Sequence, residues 1–161
     1  MKKINVGLIG FGNVGSAVVK ILKDKRALLR EKIGLDLCLK KICDKDISSK
    51  RIVAVDKSML TCDASLILND PQIDIVIELI GGIHPAKEYI LAALEKGKYV
   101  ITANKALLAE EGKELFSKAM ERGKSIYFEA SCGAGIPIIK SLREGLVANK
   151  FLSVFGIVNG T

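Results

Sequence analysis

The chain has 161 residues, 49% of them hydrophobic and 27% charged, which is the size of one domain able to bury one substantial core. No apolar run approaches the ~20 residues of a membrane span, and the start lacks a signal-peptide layout, so the composition reads as that of a soluble, cytoplasmic protein. The net charge of +7 is uneven: residues 1–60 carry 14 Lys/Arg against 6 Asp/Glu, whereas 61–161 carry 11 against 12. These lysines are scattered along helix-like stretches without basic–aromatic interleaving, which argues against nucleic acid as a partner. Cys38, Cys43, Cys62 and Cys132 form no C-x-x-C pair and His84 is the sole histidine, so neither a disulfide framework nor a His/Cys metal cluster is expected.

In chain order, an apolar run over 4–9 predicts a buried first strand. Val14, Ala17, Val18, Ile21, Leu22, Leu28 and Leu29 recur at helical spacing and predict one long amphipathic helix. A second strand is expected over 35–42 and an irregular stretch over 44–63. A strand covered on both faces is expected over 73–80, and shorter strands over 99–102, 125–128 and 151–158. Helices fit 85–96, 109–122 and 137–146, with Gly97 and Gly123 just past two of the ends. Alternating strands and helices of this kind predict an α/β domain with a parallel sheet.

Gly10-Phe11-Gly12-Asn13-Val14-Gly15 is a G-x-G-x-x-G placed directly between the first strand and the first helix. In that context the helix-start amides and dipole face a pyrophosphate. Gly10 gives the tight turn, Gly12 the close approach of backbone to phosphate, and Gly15 the packing of helix on strand. The expected architecture is therefore Rossmann-like: a doubly wound, mostly parallel sheet with helices on both faces. An acidic residue for the adenosine ribose is expected about 20 residues on. Asp44 ends the second strand, on the ligand side, whereas Asp36 begins it on the far side. A carboxylate at Asp44 favours NAD, while Lys45, Lys50, Arg51 and Lys57 in the next loop offer charge for the 2′-phosphate of NADP, so both cofactors stay open.

Later segments carry a more specific resemblance. Glu78-Leu79-Ile80-Gly81-Gly82, Thr102-Ala103-Asn104-Lys105-Ala106-Leu107-Leu108-Ala109, Glu129-Ala130-Ser131-Cys132-Gly133-Ala134-Gly135-Ile136-Pro137-Ile138-Ile139-Lys140 and Gly156-Ile157-Val158-Asn159-Gly160-Thr161, together with the opening Gly7-Leu8-Ile9-Gly10-Phe11-Gly12, closely resemble homoserine dehydrogenase. The resemblance implies interconversion of L-homoserine and L-aspartate 4-semialdehyde by hydride transfer with NAD or NADP, in threonine, methionine and isoleucine synthesis. It also implies a homo-oligomer, and a substrate and dimerisation region beyond the last motif, so that 1–161 reads as the dinucleotide-binding domain with little turnover expected of it alone. Phe11, Asn13, Val14 and the terminal Gly160 would then contact the cofactor. Thr102 and Lys105 would stand near its nicotinamide end, with Lys105 the catalytic candidate that bonds the substrate oxygen and moves its proton.

The resemblance further implies a sodium site at Glu129, Cys132, Ala134 and Ile136, held by a carboxylate and backbone carbonyls. The alternative is that Glu129 caps the following helix and the glycines make a tight turn. Cys43 stands where NADP-using relatives often carry arginine. His84, before Pro85, shows no acid–base partner in sequence and reads as a capping or surface residue. Two rival functions remain: Cys132 as a thiol nucleophile activated by a helix dipole, and a nucleotide-sensing module without catalysis.

Overall fold

The computed structural model describes residues 1–133 and 135–156. Six strands, β1 (Lys2–Ile9), β2 (Leu35–Cys43), β3 (Leu60–Thr61), β4 (Ile75–Glu78), β5 (Tyr99–Thr102) and β6 (Ile126–Tyr127), form one sheet in the order β3-β2-β1-β4-β5-β6. All five pairings are parallel. The order reverses direction between β1 and β4, the place where open α/β sheets leave a crevice for a ligand.

The strand residues alternate between two cores. Leu8, Ile42 and Ile77 join Val6, Phe11 and Val19 on one face, while their neighbours Ile9, Cys43 and Val76 join Ile67, Ile90, Leu94, Leu107 and Leu115 on the other. The period-2 side-chain geometry of a strand thus feeds both faces, and helices are required on each. Helix α1 (Asn13–Asp24) covers the first face; α3 (Ser65–Leu68), α4 (Ala86–Glu95) and α5 (Lys105–Glu121) cover the second.

The structure corrects several sequence readings. The long first helix is two, since Lys25 leaves helical geometry (φ −105°, ψ 13°) and α2 (Arg26–Ile33) follows before a left-handed Gly34 (φ 68°). The cause lies in tertiary contact. Arg26 grips Asp36 at the start of β2 with a two-pronged bond, Nε to Oδ1 at 2.9 Å and a terminal nitrogen to Oδ2 at 2.8 Å, which draws this turn onto the strand. The α5 helix starts four residues earlier than 109 because the Asn104 side chain caps it, accepting the Leu107 N–H at 3.1 Å.

The expected helix over 137–146 is present from 138 to 145, as α6 (Ile138–Lys140) continuing into a π-helical segment Ser141–Gly145. Within the expected strand 151–158, residues 151–156 show no strand pairing among the described residues, and 157 and 158 lie outside them, as do Ala134 and Gly160. The irregular stretch 44–63 hides β3, whose two residues at the sheet edge are too few to show a period.

Candidate functional site

At the carboxyl ends of β1, β2 and β4 lies a cleft of about 390 Å³ whose lining includes Gly10, Gly12, Asp44, Cys62, Ile80 and His84. The turn after β1 is shaped by backbone contact. Gly10 holds φ 104°, and a Cβ there would meet the Leu79 backbone at 2.6 Å; a Cβ on Gly15 would lie 1.9 Å from the Gly10 carbonyl oxygen. Gly12, by contrast, faces open space with no atom within 4 Å, and α1 begins there without a side-chain cap or an acidic residue in its first turn. The first-turn N–H groups are therefore left to an anion from outside.

The motif residues divide by role. Gly12, Asn13 and Val14 are exposed at the helix start, Gly15 is buried in the strand–helix contact, and Phe11 is buried at 2% with its ring in the core. Phe11 thus offers no side chain to the cleft. Its N–H donates to Asp44 Oδ2, which ties the turn to the end of β2. Asp44 Oδ1 accepts the Asp46 N–H at 2.8 Å, so the candidate ribose carboxylate is held at the cleft.

Of the four cations weighed in the next loop, Arg51 is the one beside this carboxylate. It lies 3.9 Å from Asp44 and 5.8 Å above the Phe11 ring, bonds the Asp46 carbonyl at 2.7 Å, and leaves its buried Nε without a partner. Cys43 adds no charge: burial, reinforced by neighbouring Cys62, Asp44 and Asp63, pushes its thiol up to about 11.

Glu78 was visible only as part of a motif, and the structure gives it a position. It is fully buried at the end of β4, where Oε1 accepts from the N–H groups of Ile80 (2.8 Å) and Gly81 (3.3 Å) and Oε2 from the Thr102 hydroxyl (2.6 Å). Thr102 Oγ1 in turn accepts the Asn104 N–H at 3.0 Å, and Asn104 Nδ2 donates to the Gly82 carbonyl at 2.6 Å. Thr102 is 1% exposed, so its hydroxyl lies beneath the surface, its O–H donating to Glu78. Lys105 is exposed at the first residue of α5 and, among the described residues, its ammonium bonds nothing. Neither residue lines the cleft at Gly12.

His84 does line it, and a partner that sequence alone did not reveal stands one turn on: Nδ1 lies 2.6 Å from Glu88 Oε1. The Glu129 carboxylate is occupied, accepting the N–H groups of Ile139 and Lys140, each at 2.8 Å, while the Ile136 carbonyl accepts the Ile138 N–H at 2.9 Å. These oxygens cap the start of α6, and Ala134, the remaining carbonyl of the implied sodium site besides Cys132, lies outside the described residues. Cys132 is half-buried and lies six residues before the start of α6 at Ile138, outside that helix's first turn, where its dipole would act. No described helix is long and apolar enough to cross a membrane.

A parallel sheet in this strand order, with an uncapped helix start at the reversal point and a carboxylate ending β2, defines a dinucleotide-binding domain of the doubly wound class. The comparisons narrow the class to a family. The family model described as "Homoserine dehydrogenase, NAD binding domain" matches residues 10–129, and the chain belongs to that family. It is 47% identical over its full length to the homoserine dehydrogenase of Bacillus subtilis, of which it spans 37%. The crystal structure of a homoserine dehydrogenase from Thiobacillus denitrificans superposes with a TM-score of 0.83 at 38% identity, over 92% of this chain and 34% of that one. A hyperthermophilic archaeal homoserine dehydrogenase in complex with NADPH gives 0.72 at 27% identity, over 91% of this chain and 50% of that one.

Proposed function

We propose that this domain holds NAD(P) for the interconversion of L-homoserine and L-aspartate 4-semialdehyde, with the substrate bound by parts of a longer protein. The observation that carries the proposal is the open Gly12 turn at an uncapped helix start, beside the Asp44 carboxylate. A Cβ-free approach and unused amides suit a diphosphate, and a carboxylate at the end of β2 suits the two hydroxyls of an adenosine ribose. When bound, the nicotinamide exchanges a hydride with the carbon bearing the substrate oxygen.

The residues of this chain bind and orient. First-turn amides of α1 hold the diphosphate and Asp44 the ribose. Lys105, unpaired and exposed where α5 leaves β5, is the group of this chain placed to bond the substrate oxygen and steady its proton. Thr102 bonds the Asn104 N–H just before this helix start.

Both cofactor forms have a feature in their favour: Asp44 for the free 2′-hydroxyl of NAD, and the Arg51 guanidinium, with its unpartnered Nε, for the 2′-phosphate of NADP. NAD is the preferred reading, because the carboxylate is fixed by the Phe11 and Asp46 amides and would repel a phosphate. Titration calorimetry with both dinucleotides tests it. Asp44→Ala is expected to weaken NAD about tenfold and NADP less, consistent with loss of a charged hydrogen bond. An equal loss for both would remove Asp44 from the ribose, and no binding of either by the unmutated chain would overturn the proposal.

A further inference from the structure

We propose that Glu78 is a positioning residue for the nicotinamide half of the cofactor, an inference that rests on the dinucleotide reading above. A fully buried carboxylate is costly unless donors surround it, and here every partner is a donor: two amides of the loop after β4 and the Thr102 hydroxyl. While its O–H donates to Glu78, the Thr102 oxygen accepts the Asn104 N–H, and the Asn104 amide donates to the Gly82 carbonyl of the loop. The bonds close a ring through β4, the 79–82 loop, the start of α5 and β5.

That ring sets two surfaces at once. One is the loop wall of the cleft, where Leu79, Ile80 and Gly81 face the Gly10–Gly12 turn. The other is the first turn of α5, which carries Lys105. Gly81 and Gly82 both hold left-handed backbones, φ 72° and 73°, so no helix or strand fixes this loop and Glu78 does so by bonding its amides.

The adenosine half is supported differently. Asp44, the Phe11 amide and the α1 amides hydrogen-bond to none of the ring members, although Leu79, Ile80 and Gly81 wall the same cleft. Loss of the ring is therefore expected to act mainly on the nicotinamide side.

Glu78→Gln keeps the size but replaces one acceptor oxygen with an NH2 group, which meets a donor whichever way the amide turns: the loop N–H groups, or the Thr102 hydroxyl, which must then reverse its bond. Calorimetry on the 161-residue chain with NAD and with ADP, which lacks the nicotinamide half, separates the two sides. Glu78→Gln is expected to weaken NAD about tenfold and leave ADP within about twofold. Thr102→Val, which cuts the ring without touching the carboxylate, is expected to show the same split, and Thr102→Ser to restore NAD binding; this pair carries the test should Glu78→Gln fail to fold. NAD and ADP weakening together, or neither weakening, would overturn the inference, because a purely structural role moves both. Binding of neither ligand by the unmutated chain would instead overturn the dinucleotide reading itself.

Discussion

Residues 1–127 and 129–156 are built from similar amino acids and meet different fates. In the first region the apolar side chains of five strands and four helices reach 0–2% exposure, as at Leu8, Ile42, Val76, Ile90 and Leu107. In the second no described residue is buried; Ile136 is 67% exposed, Leu152 88% and Phe155 92%. Hydrophobicity supplies the capacity for burial, and a surface must exist to receive it. The sheet ends at β6, both of its faces are already covered by α1, α4 and α5, and the later residues have no unpacked face to meet. The family match also closes at residue 129, at the edge of the packed region.

Substitutions can break or sharpen that contrast. The largest effect is expected for Gly15→Ala, whose Cβ would fall 1.9 Å from the Gly10 carbonyl; the strand and helix must part, and thermal unfolding should show a loss of about 3 kcal/mol or more. Ile90→Ala, in the centre of the second-face core, should cost about 3 kcal/mol in chemical denaturation. Gly12→Ala makes the opposite use of glycine. With no atom within 4 Å it should leave stability nearly unchanged, yet weaken ADP about tenfold, close to 1.4 kcal/mol, by filling the space a diphosphate would enter. Smallest of all, Leu152→Ser should move the unfolding free energy by less than about 0.5 kcal/mol, since its side chain contributes to no core. A cost at Leu152 near that at Ile90 would show that residues 129–156 pack after all, and the contrast would fail.

Much of the first region was legible before any coordinates, for local reasons. Gly10, Gly12 and Gly15 occur at a spacing that only a strand-to-helix turn with a close ligand needs, and Asp44 falls at a strand end that periodicity alone places. Asp36 was set aside on the same argument, and its bond to Arg26 at the opposite end of β2 agrees with that. What stayed hidden depends on distant partners. Glu78 and Thr102 are 24 residues apart and meet because β4 pairs with β5; Arg51 reaches Asp44 across a loop; the bend at Lys25 follows from Arg26 meeting β2. In the second region the expected helix over 137–146 is present as helix over 138–145, with a wider turn in its second half, whereas 151–156 shows no strand among the described residues, a short strand alone gaining too little to hold.

The sequence by itself determined the class of fold, the glycine turn at the first helix start and the carboxylate beside it, since each rests on residue type and on spacing along one strand, turn or helix. Only the tertiary structure decided which groups meet: Glu78 beneath the 79–82 loop, Thr102 buried against it, the Phe11 amide tied to Asp44, and the Glu129 oxygens bonded by a helix start. The 2.6 Å hydrogen bond between Thr102 and Glu78 joins side chains 24 residues apart, and that proximity exists only after the parallel strands have brought their carboxyl ends to one edge.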